Sequence, residues 1–141
     1  TPRNLYDNPA NAFVAGFIGS PAMNLLNAPV VGGKAKLGNL EIAVPASAGS
    51  SVTVGIRPEG FSPASSGFDV LVEVVEELGS DAFVYGKPAD SSVKFANATD
   101  EGAQVIVRWD PKNPPRPGQT VTVSANQSSV HLFNATTGER I

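Results

Sequence analysis

The 141-residue sequence contains no cysteine and a single histidine, His131. Without thiols the chain has no disulfide, no thiolate metal site and no cysteine nucleophile, which fits a reducing compartment. One histidine cannot build a histidine-based metal site without help from carboxylates. Because His131 lies in an apolar stretch between Val130 and Leu132, we interpret it as a structural or surface residue.

Charge is also scarce. Charged residues make up 16% of the chain, the ten lysines and arginines are scattered, and the net charge is -3. Nucleic-acid binding needs a clustered basic surface, so we expect no nucleic-acid partner. No apolar run approaches the roughly 18 residues that a membrane helix needs, and no signal peptide is visible at Thr1. Because the sequence also starts without methionine, we expect it to be a piece of a longer protein.

Motifs of catalysis are missing as well. Gly32-Gly33-Lys34 is followed by Ala35, which has neither the spacing nor the strand–loop–helix setting of a phosphate-binding loop. Glu76 and Glu77 are adjacent on a predicted strand and face opposite sides, and nothing indicates two carboxylates converging in a cleft. The sequence therefore predicts no catalytic residue, no metal site and no cofactor in this chain, and we expect no enzyme activity from it.

The first clear element is a short helix. Asn8 can cap its start, Pro9 suits its first turn, and Gly19 with Pro21 ends it. A helix this short is marginal alone, so its apolar stripe must pack against something. The residues of that stripe that we select as packing candidates are Phe13, Phe17 and Ile18.

Beyond the helix the pattern is that of short strands. Gly38-Asn39 reads as a two-residue hairpin loop. Residues 68–78 read as a long strand, in which the alternating residues Phe68, Val70, Val72 and Val74 share one apolar face, predicted to be buried. A polar, turn-rich stretch at residues 62–67 is predicted to be a loop and is a candidate sub-boundary. The proline-rich residues 110–118 form either a linker or a functional loop. About ten short strands, which recur at intervals of roughly 8–12 residues, predict an all-β barrel or sandwich.

Five segments, in order, resemble the ATP-binding subunits of maltose-importer-type ABC transporters. The segments cover nearly the whole chain: residues 5–24, 54–59 (VGIRPE), 74–81 (VVEELGSD), 118–121 (GQTV) and 130–141 (VHLFNATTGERI). Each segment alone is short, whereas their order and spacing together are specific. The chain departs from the family pattern at Gly60, where a histidine is usual.

The resemblance implies an OB-fold-like regulatory domain, the transport-associated domain. Residues 1–22 would then be the linker and helix that follow a missing ATPase domain, and residues 23–141 would be the regulatory domain. The resemblance also implies a bacterial importer for sugars, polyols or glycerol phosphates, with the whole subunit hydrolysing ATP at the cytoplasmic face of the membrane. ATP and magnesium are expected only in the missing domain.

The resemblance further implies partners. These are the subunit's own ATPase domain, which Phe13, Phe17 and Ile18 would contact, a second copy across a two-fold axis, the permease subunits, and in some members a cytoplasmic regulator. The residues that we assign to dimer or regulator contacts are Arg57, Pro58, Glu59, Glu76, Gly79 and Asp81. An ordinary structural role remains open for them, since Arg57 and Glu59 can form a turn-fixing ion pair and Pro58 can end a strand.

A second hypothesis from the residues is a small-ligand or oligosaccharide-binding β-barrel. Barrels of this kind hold ligands, and Trp109 and Tyr85 are its candidate stacking residues. Packing in the core is the competing role for both aromatic rings.

Overall fold

The computed structural model describes residues 23–96 and 103–141. Within them it contains ten strands, which confirms the all-β prediction. The predicted N-terminal helix lies outside the described residues. The strands are β1 (Asn24–Val31), β2 (Lys34–Leu37), β3 (Leu40–Ala43), β4 (Ser51–Ile56), β5 (Phe61–Leu78), β6 (Asp81–Pro88), β7 (Lys94–Phe95), β8 (Val105–Trp109), β9 (Thr120–Ala125) and β10 (Val130–Asn134).

The strands form two antiparallel sheets. The six-stranded sheet has the order β10-β4-β1-β2-β3, with β7 also paired to β1, and the four-stranded sheet has the order β8-β6-β5-β9. The chain crosses from the first sheet to the second after β4, returns for β7, crosses again for β8 and β9, and ends in the first sheet with β10. The two sheets are therefore not successive halves of the sequence.

Both sheets contribute to one apolar core. Alternating strand residues point inward, as a half-buried strand requires, and the six-stranded sheet supplies Leu26, Val54 and Ile56 to this core. The four-stranded sheet supplies Val70 and Val84 opposite them. Burial on this scale, at about 25 cal/mol per Å² of apolar surface, is what holds the two sheets together.

Local turn chemistry matches the sequence predictions. The hairpin between β2 and β3 turns at Gly38, whose φ of 59° is in the left-handed region, and Leu37 pairs with Leu40 across it. The turn between β5 and β6 likewise uses Gly79 at a φ of 75°. Glycine is favoured at such angles because it has no Cβ to clash with the backbone.

Two predictions about β5 were wrong. The stretch at residues 62–67 is not a loop but part of β5, where pairing with β9 is interrupted between Pro63 and Phe68. Further along, Val72 pairs with Gly86 and Val74 pairs with Tyr85, so Glu73 is an extra residue in a β-bulge. The bulge reverses the alternation, and Val74 is 51% exposed instead of buried.

Candidate functional site

The bulge in β5 creates an apolar surface on the side of the four-stranded sheet that faces away from the core. Register places Val74 beside Tyr85, and Tyr85 beside Ile106 on β8. Opposed residues in an antiparallel pair share one face, so these side chains form a continuous row. We name the whole surface the outer face and define it by six residues: Leu71, Val74, Leu78, Phe83, Tyr85 and Ile106.

The outer face is accessible. Leu71, Val74 and Leu78 are among the most exposed large apolar side chains, with Leu78 at 56%, and the other three members of the face are partly exposed. Scattered exposed apolar residues are normal, whereas a contiguous group of them marks a surface that another molecule covers.

Charges of both signs surround the outer face. Arg108 Nε lies 3.8 Å from Asp81 Oδ1, and Lys87 Nζ lies 3.9 Å from Glu73 Oε2. All four side chains are more than a third exposed, and such pairs contribute little to stability. If these four side chains turned to a partner instead, the free energy of unfolding would therefore change little.

Tyr85 is held on the outer face by a carboxylate. Its hydroxyl donates a hydrogen bond of 3.2 Å to Glu76 Oε1. Partial burial, with the negative charge of Glu76, raises the pKa of the tyrosine hydroxyl above its ordinary value. Tyr85 thus stays protonated near neutral pH, and its ring does not lie in the core.

The six predicted contact residues separate into buried and exposed groups. Arg57 is 6% exposed and Pro58 is buried, so both lie beneath the surface at the crossing between the sheets. Glu59, Glu76 and Gly79 are exposed, and Asp81 is partly exposed. Their role as partner contacts stays a prediction. Phe13, Phe17 and Ile18 lie outside the described residues.

The structure brings two of these residues together in a cleft of about 410 Å³. Glu59, from the turn before β5, and Asp81, from the start of β6, both line it. Arg108, Trp109 and Asp110, at the end of β8, complete the wall. This convergence could not be predicted from the sequence, because the three segments come from distant parts of the chain.

The described residues contain no group of three or more histidine or carboxylate side chains placed to hold a metal ion. Over the same residues, no helix has the length and apolar character needed to cross a membrane.

Asn24 links the two sheets, a structural role that the sequence analysis did not predict. Its side-chain nitrogen donates hydrogen bonds to the carbonyl oxygens of Ile56, at 2.9 Å, and Ile106, at 2.8 Å. Its side-chain oxygen accepts the N–H of Ile106 at 2.7 Å. The amide thus occupies the free edge of β8 as a neighbouring strand would, and it ties the two sheets together. A polar residue among apolar neighbours was the available signal.

Two family models match the chain. The model described as the MalK OB fold domain matches residues 19–61, and the model described as the TOBE domain matches residues 54–133. The chain belongs to the TOBE domain family. This membership confirms the resemblance seen in the sequence and agrees with the OB-like, all-β architecture.

Similar curated proteins are all longer than this chain. The chain is 40% identical to the sn-glycerol-3-phosphate import ATP-binding protein of Cereibacter sphaeroides, over 100% of the chain and 38% of that protein. It is 38% identical to the diacetylchitobiose uptake system ATP-binding protein of Streptomyces coelicolor, over 100% of the chain and 42% of that protein. It is also 38% identical to the lactose transport ATP-binding protein of Rhizobium radiobacter, over 99% of the chain and 40% of that protein.

The chain therefore spans about two fifths of the length of these relatives. The shared part is the TOBE and OB-like region. The names of these relatives describe ATP-binding proteins for the transport of different solutes, so this region is common to proteins with different cargo.

Proposed function

We propose that this chain is the regulatory and dimerising domain of the ATP-binding subunit of a bacterial ABC importer for carbohydrates or related solutes. The relatives matched over the whole chain are ATP-binding proteins for a glycerol phosphate, a chitobiose derivative and lactose. In this proposal the ATPase domain, which binds ATP and magnesium, belongs to the longer protein, and the permease subunits are partners of that protein at the cytoplasmic face of the membrane.

The observation that carries the dimerising role is the outer face of the four-stranded sheet. Two-fold contacts use the same patch twice, so the patch must be complementary to itself. An apolar centre, with Arg108 and Lys87 on its border as well as Asp81 and Glu73, meets that requirement. Each cation of one copy can face a carboxylate of the other, which favours a second copy over a partner of one charge sign.

The absence of cysteine makes a direct test straightforward. We expect the Val74→Cys variant to form an intermolecular disulfide under mild oxidation, because a two-fold contact brings the same position of both copies close together. Val31→Cys is the matched control, since Val31 is 58% exposed but lies on β1 of the other sheet. Non-reducing electrophoresis measures the covalent dimer.

The two variants decide the outcome together. Rapid cross-linking at position 74 with little at position 31 supports the proposal. Equal rates at both positions mean random collision, and would contradict a contact through the outer face. Leu78→Cys, at 56% exposure, provides a second position on the same face in case Val74 lies far from the axis.

A further inference from the structure

The geometry points to a binding site for a neutral polyhydroxylated ligand, a small sugar or polyol, in the cleft between the turn at Glu59, the start of β6 and the end of β8. The cleft measures about 410 Å³, which lies within the range of small-molecule pockets, about 300 to 1,000 Å³. A volume of this size suits one or two sugar rings. This inference does not depend on the cargo of the importer, and it applies to the unassociated chain, because Arg108 and Asp81 also border the outer face.

One part of the cleft wall is aromatic. Trp109 and Phe61 both line it, with Phe61 at 4% exposure and Trp109 partly exposed. The indole N–H of Trp109 donates a 3.1 Å hydrogen bond to the carbonyl oxygen of Asn113. That bond and packing against the core hold the ring in place before any ligand arrives. The exposed part of the ring offers an apolar surface for the C–H face of a sugar at low entropic cost.

The rest of the wall is polar and open to a ligand. Arg108 Nε and Asp81 Oδ1 lie 3.8 Å apart, and their side chains are 54% and 44% exposed. At that distance the pair is weak, so a guanidinium donor and a carboxylate acceptor remain available on one wall. Ser62 and Ser80 add hydroxyl groups. Vicinal hydroxyls of a sugar can donate to the carboxylate and accept from the guanidinium together.

Charge selects the class of ligand. Among the charged residues that line the cleft, Glu59 already interacts with another residue, and the carboxylates of Asp81 and Asp110 lie beside one guanidinium, from Arg108. The excess of negative charge disfavours a phosphate or sulfate ester. A hydroxylated molecule, unlike an anion or a cation, can donate to a carboxylate and accept from the guanidinium at the same time, and it is therefore the class of ligand that the wall fits.

Trp109 is the only tryptophan of the chain and therefore reports on the cleft directly. We would titrate the chain with lactose, N,N′-diacetylchitobiose and glycerol, following Trp109 fluorescence and heat by calorimetry, with sn-glycerol-3-phosphate as the anionic comparison. We expect saturable binding of at least one neutral ligand with a dissociation constant of about 1 mM or below. The anionic compound should bind at least tenfold more weakly, because a tenfold change in the dissociation constant corresponds to about the free energy of one charge-assisted hydrogen bond.

Variants localise the signal. Arg108→Gln and Asp110→Asn should each weaken binding about tenfold through loss of a charged partner. In the parent, Asp110 Oδ1 accepts a 2.9 Å hydrogen bond from the backbone N–H of Lys112. The asparagine of Asp110→Asn keeps an oxygen that can accept the same bond. Arg116→Gln is the matched control, because Arg116 is exposed in the same proline-rich loop and does not line the cleft.

Three outcomes would overturn the inference. The first is no fluorescence change and no heat with any neutral ligand up to about 20 mM, far above the expected constant. The second is tighter binding of sn-glycerol-3-phosphate than of every neutral ligand. The third is binding that Arg116→Gln weakens as much as Arg108→Gln does.

Discussion

The two sheets differ in what covers their outer sides. At the centre of the six-stranded sheet, β4 is buried on both faces, by the main core on one side and by Met23, Leu25 and Phe133 on the other. The four-stranded sheet packs on the core with one face only and leaves Val74 and Leu78 exposed on the other. The centre of the first sheet is therefore covered on both sides within the described chain, whereas the second sheet presents a surface that a partner can cover.

The largest effect is expected at Asn24, which joins the two sheets. Asn24→Leu removes three hydrogen bonds and leaves polar groups of Ile56 and Ile106 without their partner. We expect a loss of about 3 kcal/mol in the free energy of unfolding, measured by urea denaturation. Asn126→Ala is the control, because the exposed Asn126 makes no side-chain capping bond. Equal losses for both variants would contradict the role of Asn24.

The next largest loss of stability is expected at Gly55, on the covered side of the six-stranded sheet. A Cβ at Gly55 would lie 2.5 Å from Met23 Sδ and 3.0 Å from Phe133 Cε2. Gly55→Ala should therefore cost about 2 kcal/mol by overpacking, less whatever movement the flexible methionine allows. Urea denaturation measures the cost. A variant as stable as the parent would mean that this side is not closely packed.

A smaller, pH-dependent effect is expected at His131 on β10. Its Nδ1 lies 3.0 Å from Arg140 Nη2, and since a guanidinium only donates, the ring must accept and stay neutral. Burial, followed by the charges of Arg140 and Arg57, lowers the pKa of His131 below its ordinary value of 6.5. The folded state thus holds this proton less tightly than the unfolded chain does.

The sign of the pH effect follows from that difference. The stability that neutral His131 contributes is complete above the unfolded pKa and is lost as pH falls through about 6.5 toward the lower folded pKa. The free energy of unfolding of the parent should therefore fall between pH 7.5 and pH 5.5 more than that of His131→Gln, as denaturation at several pH values would measure. Parallel pH profiles would rule out this contribution.

The smallest effect on folding is expected on the uncovered sheet. Val74→Asp replaces a side chain that is already 51% exposed, so the free energy of unfolding should change by less than about 0.5 kcal/mol. Thermal or urea denaturation of the monomer at low concentration measures this. A loss comparable to that of Gly55→Ala would mean that Val74 belongs to the core, and the contrast between the sheets would fail.

Local patterns allowed much of the fold to be predicted. Gly38-Asn39 specified its hairpin through a positive φ, and the alternation of Val105, Val107 and Trp109 specified the inward face of β8. These features depend on residues close in sequence, where turn chemistry and side-chain alternation act directly. The same holds for the proline-rich loop between β8 and β9, which adopts no strand.

The features that matter for function depend on distant residues and could not be predicted. Nothing near Glu73 announces a bulge, since the bulge is defined by pairing with β6, and this one residue turns Val74 from the core to the surface. The cleft likewise gathers Glu59 from a turn and Asp81 and Arg108 from two strands. Alternation along one strand does not report where another strand shifts its register.

The most direct measurement is the solution mass of the chain over a concentration series, by light scattering, for the parent and for Val74→Asp. Association through the outer face predicts that the parent moves from its 14.5 kDa monomer mass toward twice that value as concentration rises, while Val74→Asp stays monomeric. A parent that remains monomeric at the highest concentration, or a variant that associates equally well, would contradict the assignment of the outer face to a second copy.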